Sequence, residues 1–388
     1  MKTPHTTAVL GLGHLGSAIA TRLTGQDQHV IGWTRSGRPV AGLETTADLK
    51  EAVEKADVVL LCLFDGPACR QVLDQIGGSL RTAAVVLNTS TIAPGEAAEF
   101  ARRFGPDYVH APVLGSVGAV AAGAVKILAA GDAGAFDKVQ PVLEALGDVV
   151  RVDDAATSAA LKLIANASLA GAVLTLRDAL QQAEALGLSR EQALDVLELG
   201  QLGGLVARKR SFLTEPPTTS PTAGAEFTIG ALAKDMAVLA AASGTPLLTA
   251  AELADAAAAS EADIIVAATA PAVDEAVLEP LHAYISGHAT GNPAYFRKAF
   301  LPSAHVEGIR GGAFVSWPLE KYCSLFTGEP AEDEATRTRR IDSVRVHGTV
   351  ASASMTLHHG ADTFTDIFLL VRADDGWRIA NKAYHRHS

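Results

Sequence analysis

Three glycines and an arginine near the start of the chain carry the first chemistry that can be read from it. Gly11, Gly13 and Gly16 stand in G-x-G-x-x-G spacing between an apolar run ending at Val9-Leu10 and a helix-like segment, SAIATRLTG. In that context the first glycine permits a tight turn and the second lets backbone approach a pyrophosphate. The third lets the helix pack on the strand, with the phosphates over the helix N-terminus. The turn Gly11, Leu12, Gly13, His14, Leu15, Gly16 is therefore the expected dinucleotide-binding segment. At the end of the next apolar run the chain reads Thr34-Arg35-Ser36. A carboxylate there would repel a 2'-phosphate, whereas a guanidinium pairs with one and two hydroxyls add donors, so the expected cofactor is NADP(H) with NADPH preferred. Asn88, Thr89, Ser90 and Thr91 follow a further apolar run, at the edge where open α/β sheets bind ligands.

The elements that must position these groups follow from hydrophobic periodicity. TAVLGLG, HVIGWT, DVVLLCLF, AVVLNTST, YVHAPVLG and VKILAAG alternate with amphipathic stretches, the signature of a parallel α/β sheet. From Ala155 to about Ala270 strand-like runs stop and Ala-, Leu- and Glu-rich segments show helical spacing, so an all-helical second domain is expected. Thr214 to Ala225, dense in Pro, Thr and Gly, is expected to be an exposed loop. Beyond it, VDEAVLEPLHAYISGHATG has helical spacing, and SVRVHGTVASASMTLHH and DTFTDIFLLVRADDGWRIANKAYH have strand periodicity with a hairpin turn at Asp375-Gly376. The expected domains are 1–152, a dinucleotide-binding domain; 153–272, a helical substrate and dimerisation domain; and 273–388, an α+β domain.

The ordered segments GLGHLG, WTRS, LCLFD, NTST, HAPVLGS, LKLIAN and FTIGALAKDM resemble the 3-hydroxyisobutyrate dehydrogenase family, within the 6-phosphogluconate dehydrogenase-like group. The resemblance covers residues 7 to about 270 and implies a Rossmann domain followed by an all-α domain. It gives Lys162 the role of catalytic acid or base, with Asn166 positioning substrate. It also places Leu63, Phe64, Thr89 and Lys234 at the cofactor and Leu114, Gly115 and Ser116 at the substrate. A lysine and an asparagine at i and i+4 of a helix point the same way and can converge on one oxygen. An ammonium there can protonate the alkoxide that forms when hydride reaches a carbonyl carbon. Leu161, Leu163 and Ile164 are expected to give Lys162 an apolar setting. Lys234 and Asp235 read equally as a plain helical ion pair. One departure concerns the substrate loop, which in the family commonly reads A-P-V-S-G-G. Here Leu114 replaces the hydroxyl, which fits a bulkier or less acidic substrate.

Residues 275–388 resemble the SnoaL-like or nuclear transport factor 2-like superfamily, particularly small bacterial lumazine-binding-type members. HAYISGHATGNPAYFRKAF and TFTDIFLLVRADDGWRIANKAYHRH carry this, and it implies a curved, cone-shaped sheet wrapped by helices. That fold serves isomerases, cyclases, dehydratases and plain binding modules, so it assigns no activity. Tyr284, His305, Asp366 and His385 are candidate pocket groups. His358-His359 and His385-Arg386-His387 suggest metal only superficially, since adjacent strand residues face opposite ways and at most the i, i+2 pair could share an ion; no metal is expected.

Composition narrows the partners. A formal charge of −11 argues against nucleic acid or a polybasic membrane face, leaving a small-molecule substrate and self-association as a homodimer. The opening residues show no basic leader, and Cys62, Cys69 and Cys323 lack disulfide or zinc spacing, so a soluble cytoplasmic protein with reduced thiols is expected. Carbonyl reduction is the leading reading. Imine reduction, a bifunctional reductase with an isomerase, cyclase or dehydratase, and a non-catalytic NADPH sensor or scaffold stand behind it.

Overall fold

The computed structural model describes residues 5–214, 225–245, 261–269 and 275–387. Contacts divide the chain into two units, Met1–Ala270 and Pro271–Ser388. The proline-rich segment expected as a loop falls, at 215–224, outside the described residues.

The first unit begins with β1 (Thr6–Leu10), α1 (His14–Thr24), β2 (His29–Trp33), β3 (Glu44–Thr46), α2 (Leu49–Val53), β4 (Val58–Leu61), α3 (Gly66–Ile76), β5 (Val85–Asn88) and α4 (Pro94–Phe104). It continues with β6 (Tyr108–His110), β7 (Val113–Leu114), α5 (Val117–Ala122), β8 (Val125–Gly131), α6 (Ala133–Leu146) and β9 (Gly147–Arg151). β4 and β5 are buried along their whole length, which is why their sequences read as continuous apolar runs: helices cover both faces of the sheet.

Among the described residues the strand order is 3-2-1-4-5-6-8-7, with β9 beside β8, and β1 to β6 form the parallel Rossmann order. The expectation of a wholly parallel sheet is corrected at its far edge, where β8 runs antiparallel to both β6 and β7. β6 and β7 continue one line in a single antiparallel register against β8, and the chain turns back into β8 through α5.

Register aligns what matters. Leu10 pairs with Trp33 and Leu61, and Leu61 pairs with Asn88, so four strands end at one level. The segments leaving that edge are Gly11–Gly16, Thr34–Ser36, Leu63-Phe64 and Thr89–Thr91. Gly11 adopts a φ of 103°, and a Cβ there would lie 2.4 Å from the Cys62 carbonyl oxygen; a Cβ on Gly16 would lie 1.9 Å from the Gly11 carbonyl oxygen.

α7 (Ala155–Ala185), capped by the Asp154 carboxylate, starts in the Rossmann core at Ala155 and Ala159 and ends in a second core from Ala170 to Ala183. This 31-residue helix, about 46 Å long at 1.5 Å per residue, joins the two cores. It has the length and hydropathy of a bilayer-crossing segment, yet it supplies buried residues to both cores and carries Lys162 and Asn166. α8 (Arg190–Leu199), α9 (Gly203–Thr214), α10 (Ile229–Ser243) and a 3-10 turn at Ile264–Thr269 complete the helical part.

The second unit contains α11 (Glu275–Thr290), α12 (Pro293–Ala299), β10 (His305–Arg310), β11 (Ala313–Pro318), α13 (Leu319–Cys323), β12 (Thr338–His347), β13 (Val350–His359), β14 (Asp362–Ala373) and β15 (Gly376–His387). Its sheet order is 11-10-15-14-13-12, antiparallel except between β10 and β15. The helices pack on one face over a core that includes Phe296, Phe300, Phe368 and Trp377, giving the expected α+β architecture. The last hairpin turns at Asp374-Asp375, one residue earlier than expected, because Ala373 pairs with Gly376, which takes a φ of 115° as the first residue of β15.

Gly16→Ala should cost about 1–3 kcal/mol of stability, since the added methyl has no room beside Gly11. Urea unfolding of the full chain checks this; an unchanged midpoint would contradict the packing described.

Candidate active site

The glycine turn opens onto a cleft of about 520 Å³ lined by Gly11, Leu12, Gly13, Trp33, Thr34, Arg35, Ser36, Arg38, Leu63, Phe64, Ala68, Gln71, Val72 and Gln75. A Cβ on Gly13 would meet nothing within 4 Å, so the middle glycine faces open space, as close approach of a pyrophosphate requires. Gly13 is also the N-cap of α1, where neither a side-chain cap nor an acidic first turn competes for the helix amides. These residues fit a dinucleotide.

The sequence-derived residues divide by orientation. Arg35 is exposed at the cleft rim, and the Thr34 and Ser36 hydroxyls lie 3.0 Å apart beside it. Leu12 sends its side chain into the core against Gly32 and Leu15 packs on that core, so these two can serve a cofactor only through backbone; His14 is exposed on the first helical turn. Thr89 is buried, and its hydroxyl donates to the Leu61 carbonyl at 2.7 Å, which fixes the strand edge. Asn88 is likewise buried, donating to the Tyr108 hydroxyl at 3.2 Å and accepting from the Ser90 amide at 3.0 Å. Two features were missed. Arg38 places a second guanidinium at the cleft, and Ala68, Gln71, Val72 and Gln75, spaced i, i+3, i+4 and i+7, are one face of α3. Helical spacing after LCLFD was the available signal for that face.

Lys162 and Asn166 meet as their spacing requires: Nζ donates to Asn166 Oδ1 at 3.0 Å. The Asn166 amide donates in turn to Asp235 Oδ2 at 2.5 Å, across from α7 to α10. Asp235 also pairs with its neighbour Lys234, whose Nζ donates to the Thr91 carbonyl at 3.0 Å and lies 5.5 Å from the Phe64 ring centre. A continuous polar chain thus runs from the cleft wall to the lysine. Lys234 and Asp235 are an ion pair, but one built into this chain.

Lys162 is 8% exposed and Asp235 2%. Burial pulls the Lys162 ammonium down from 10.5 to about 8; the Asp235 charge opposes that shift and the Lys234 charge adds to it. The apolar setting is not made by all the neighbours expected: Leu163 is buried, but Leu161 and Ile164 are 44% and 57% exposed, because successive helix residues point about 100° apart. Of the substrate-loop residues, Leu114 is half-buried in β7, Gly115 is pressed against Val125 and Ala119, and Ser116 caps α5 without a side-chain bond.

In the second unit only two of four expected groups come together. Tyr284 donates to Asp366 Oδ2 at 2.6 Å, while His385 is exposed on β15 and His305 bonds the Ser316 hydroxyl at 2.9 Å near the surface. The missed partner is Lys382, which donates to Asp366 at 2.6 Å and to the Tyr284 hydroxyl at 2.7 Å. Tyr322 and His288 extend the cluster, their hydroxyl and Nε2 2.8 Å apart. Lys382 was hidden by a bulge: Leu369 pairs with Asn381 and Leu370 with Ile379, so Ala380 is extra and the inward parity shifts from Trp377 and Ile379 to Lys382. Burial pushes the Lys382 ammonium down against the pull of Asp366, and pushes the Tyr284 hydroxyl well up. His385 and His387 do face each other, with ring centres 4.8 Å apart, but among the described residues no group of three metal-ligating side chains occurs.

The fold, the glycine turn and the cleft define a nicotinamide-dinucleotide oxidoreductase. Residues 6–157 match the family model described as "NAD binding domain of 6-phosphogluconate dehydrogenase", and residues 272–385 match the one described as "Putative lumazine-binding". A probable 3-hydroxyisobutyrate dehydrogenase of Mycobacterium tuberculosis is 31% identical over 201 residues, 50% of this chain and 68% of the relative. An NAD-dependent L-serine dehydrogenase of Pseudomonas aeruginosa is 36% identical over 154 residues, 36% of this chain and 51% of that one. The solved structure of M. tuberculosis 3-hydroxyisobutyrate dehydrogenase with L-serine superimposes with a TM-score of 0.58 at 26% identity, covering 69% of this chain and 99% of the other. The chain belongs to the 3-hydroxyisobutyrate dehydrogenase family, and carries a second, lumazine-binding-like unit beyond the family's dehydrogenase part.

Asp366→Ala should cost about 3–5 kcal/mol, because it strands the Lys382 ammonium in an aromatic core. Urea unfolding followed at Trp317 and Trp377 measures it; a loss below 1 kcal/mol, on the order of a surface pair, would contradict the burial.

Proposed function

We propose that this protein is an NADPH-dependent oxidoreductase that reduces a carbonyl group of a small polar metabolite, or oxidises the corresponding hydroxyl, with Lys162 as the proton donor or acceptor. The observation carrying this reading is the buried Lys162 held through Asn166 and Asp235 on the same polar chain that reaches the cleft wall at Phe64. Bound in the cleft, the nicotinamide supplies or accepts the hydride. Asp235 accepts from the Asn166 amide nitrogen and so turns Oδ1 toward Nζ, which leaves the other Nζ protons for the substrate oxygen. As negative charge develops there, the ammonium neutralises it and passes a proton; in oxidation the neutral amine takes it back.

The preference for NADPH is supported by Arg35 and Arg38 at the cleft and by the lack of any carboxylate among its lining residues. Lysine-dependent chemistry also favours a carbonyl over an imine, whose carbon takes hydride without the same proton donor. We propose that the second unit contributes a binding or assembly function, since its polar cluster is buried and internally bonded.

NADPH oxidation against matched aldehydes, keto acids and cyclic imines tests the reading. Lys162→Ala should lower carbonyl turnover about 10²- to 10⁴-fold; turnover of imines alone, or turnover indifferent to Lys162, would overturn it. With the ammonium titrating near 8, below its unfolded 10.5, reduction should fall as pH rises through about 8 and oxidation should rise through the same point. Stability should gain over the window from about 8 to 10.5, where the unfolded lysine binds more protons than the folded one. Arg35→Ala should weaken NADPH by about 1–3 kcal/mol and NADH far less, as titration by cofactor fluorescence would show. Equal losses for both cofactors would refute the 2'-phosphate contact.

A further inference from the structure

The edge of the substrate region near β7 carries an excess negative charge. Ser158, one turn before Lys162 on α7, donates to the Leu128 carbonyl at 2.8 Å, and the Leu128 amide donates to the Pro112 carbonyl at 3.0 Å. These two bonds tie the first turns of α7, the helix that carries Lys162, through β8 to Pro112, where the chain enters β7 and runs on to Ser116 and Gly118. Glu226, just ahead of the Thr228 cap of α10, approaches the same loop: its Oε1 would be 2.8 Å from a Cβ on Gly118, which in turn would be 3.8 Å from Ser116 Oγ. The carboxylate comes this close because Gly118 has no side chain.

One ammonium serves two carboxylates here. Lys209, 6% exposed, donates to Asp263 Oδ2 at 2.8 Å and to Glu226 Oε2 at 2.9 Å. Asp263 is itself 3% exposed and is further satisfied by the amides of Glu226 at 2.9 Å and Ile265 at 3.1 Å. Asp263 is the more buried acid and needs the lysine most, so the unneutralised charge is expressed at Glu226. Its Oε1 faces the loop without a hydrogen-bond donor among the described residues.

We propose, resting on the oxidoreductase reading above, that Glu226 sets the substrate's charge: its carboxylate beside Ser116 and Gly118 selects uncharged or ammonium-bearing substrates over carboxylate ones. A substrate carboxylate at this loop would sit against a like charge at the rim of a partly buried site, where repulsion is weakly screened. An amide, hydroxyl or ammonium group would instead donate to Oε1. The apolar Leu114 acts in the same direction.

The test uses the NADPH complex and ligands that cannot turn over in it: 3-hydroxypropanoate and 3-hydroxypropanamide, with affinities read from cofactor fluorescence. The wild type should bind the amide about tenfold more tightly than the acid, and Glu226→Gln should bring that ratio close to one. Gly118→Ala, which must displace the carboxylate from the loop without altering any charge, should move the ratio in the same direction. A wild type that favours the acid, a ratio unchanged in Glu226→Gln, or binding of neither ligand would overturn the proposal. Because binding is measured without turnover, a protein that discriminates by charge but reduces no carbonyl would refute the oxidoreductase reading alone.

Discussion

The bond from Asn166 to Asp235 is the interaction on which the rest of the site depends. It crosses from α7 to α10, and without it neither the amide orientation of Asn166 nor the direction of the Lys162 ammonium is defined. A lysine 8% exposed is an expensive side chain to bury, and a partner amide can stabilise it only if the amide cannot flip. The Asp235 carboxylate prevents that flip. Through Lys234 and the Thr91 carbonyl the same chain is anchored at the carboxyl edge of the Rossmann sheet, so Lys162 and the cleft at the glycine turn share one frame.

That frame exists because of where α7 begins and ends. Its first turn lies in the core under β8 and its later turns lie in the helical core, so the junction falls at Lys162 to Asn166. A polar pair is tolerated there because neither core needs that surface for packing. The sheet makes the complementary contribution through register: four strands ending at one level bring the glycine turn, the Arg35 segment, Phe64 and Thr91 to one edge. These groups are thus brought together by two long-range features, a shared strand end and a shared helix.

The sequence was legible where local pattern and tertiary role coincide. G-x-G-x-x-G spacing, the i, i+4 relation of Lys162 to Asn166 and the apolar runs of β1, β4 and β5 each follow from one element's own geometry, and the structure has all of them. What could not be read depends on partners distant in the chain. Asp235 gains its meaning from a residue 69 positions away, and the Thr89 hydroxyl is tied to the Leu61 carbonyl on another strand. The antiparallel return of β8 is made through α5, a connection whose direction the alternation pattern cannot specify. Arg38 lies outside any motif, yet it lines the cleft beyond the Thr34–Ser36 segment.

Lys382 shows the same limit in its sharpest form. A strict alternation along β15 that places Trp377 and Ile379 inward would turn Lys382 outward to solvent, a harmless position for a lysine. One extra residue, Ala380, reverses that and drives the ammonium into a core of aromatic rings, where Asp366 and Tyr284 must receive it. A bulge is visible only in the pairing with β14, so sequence periodicity hides the most polar feature of the second unit. Replacing a buried ion pair by hydrophobic side chains of similar volume is often neutral or stabilising in proteins, so burial of this pair is weak evidence that it stabilises the core. The pair instead fixes which residues of β14 and β15 face inward, since slipping the register by one would leave both charges unpaired or exposed. Register specification is therefore the physical role that the geometry of this cluster supports directly.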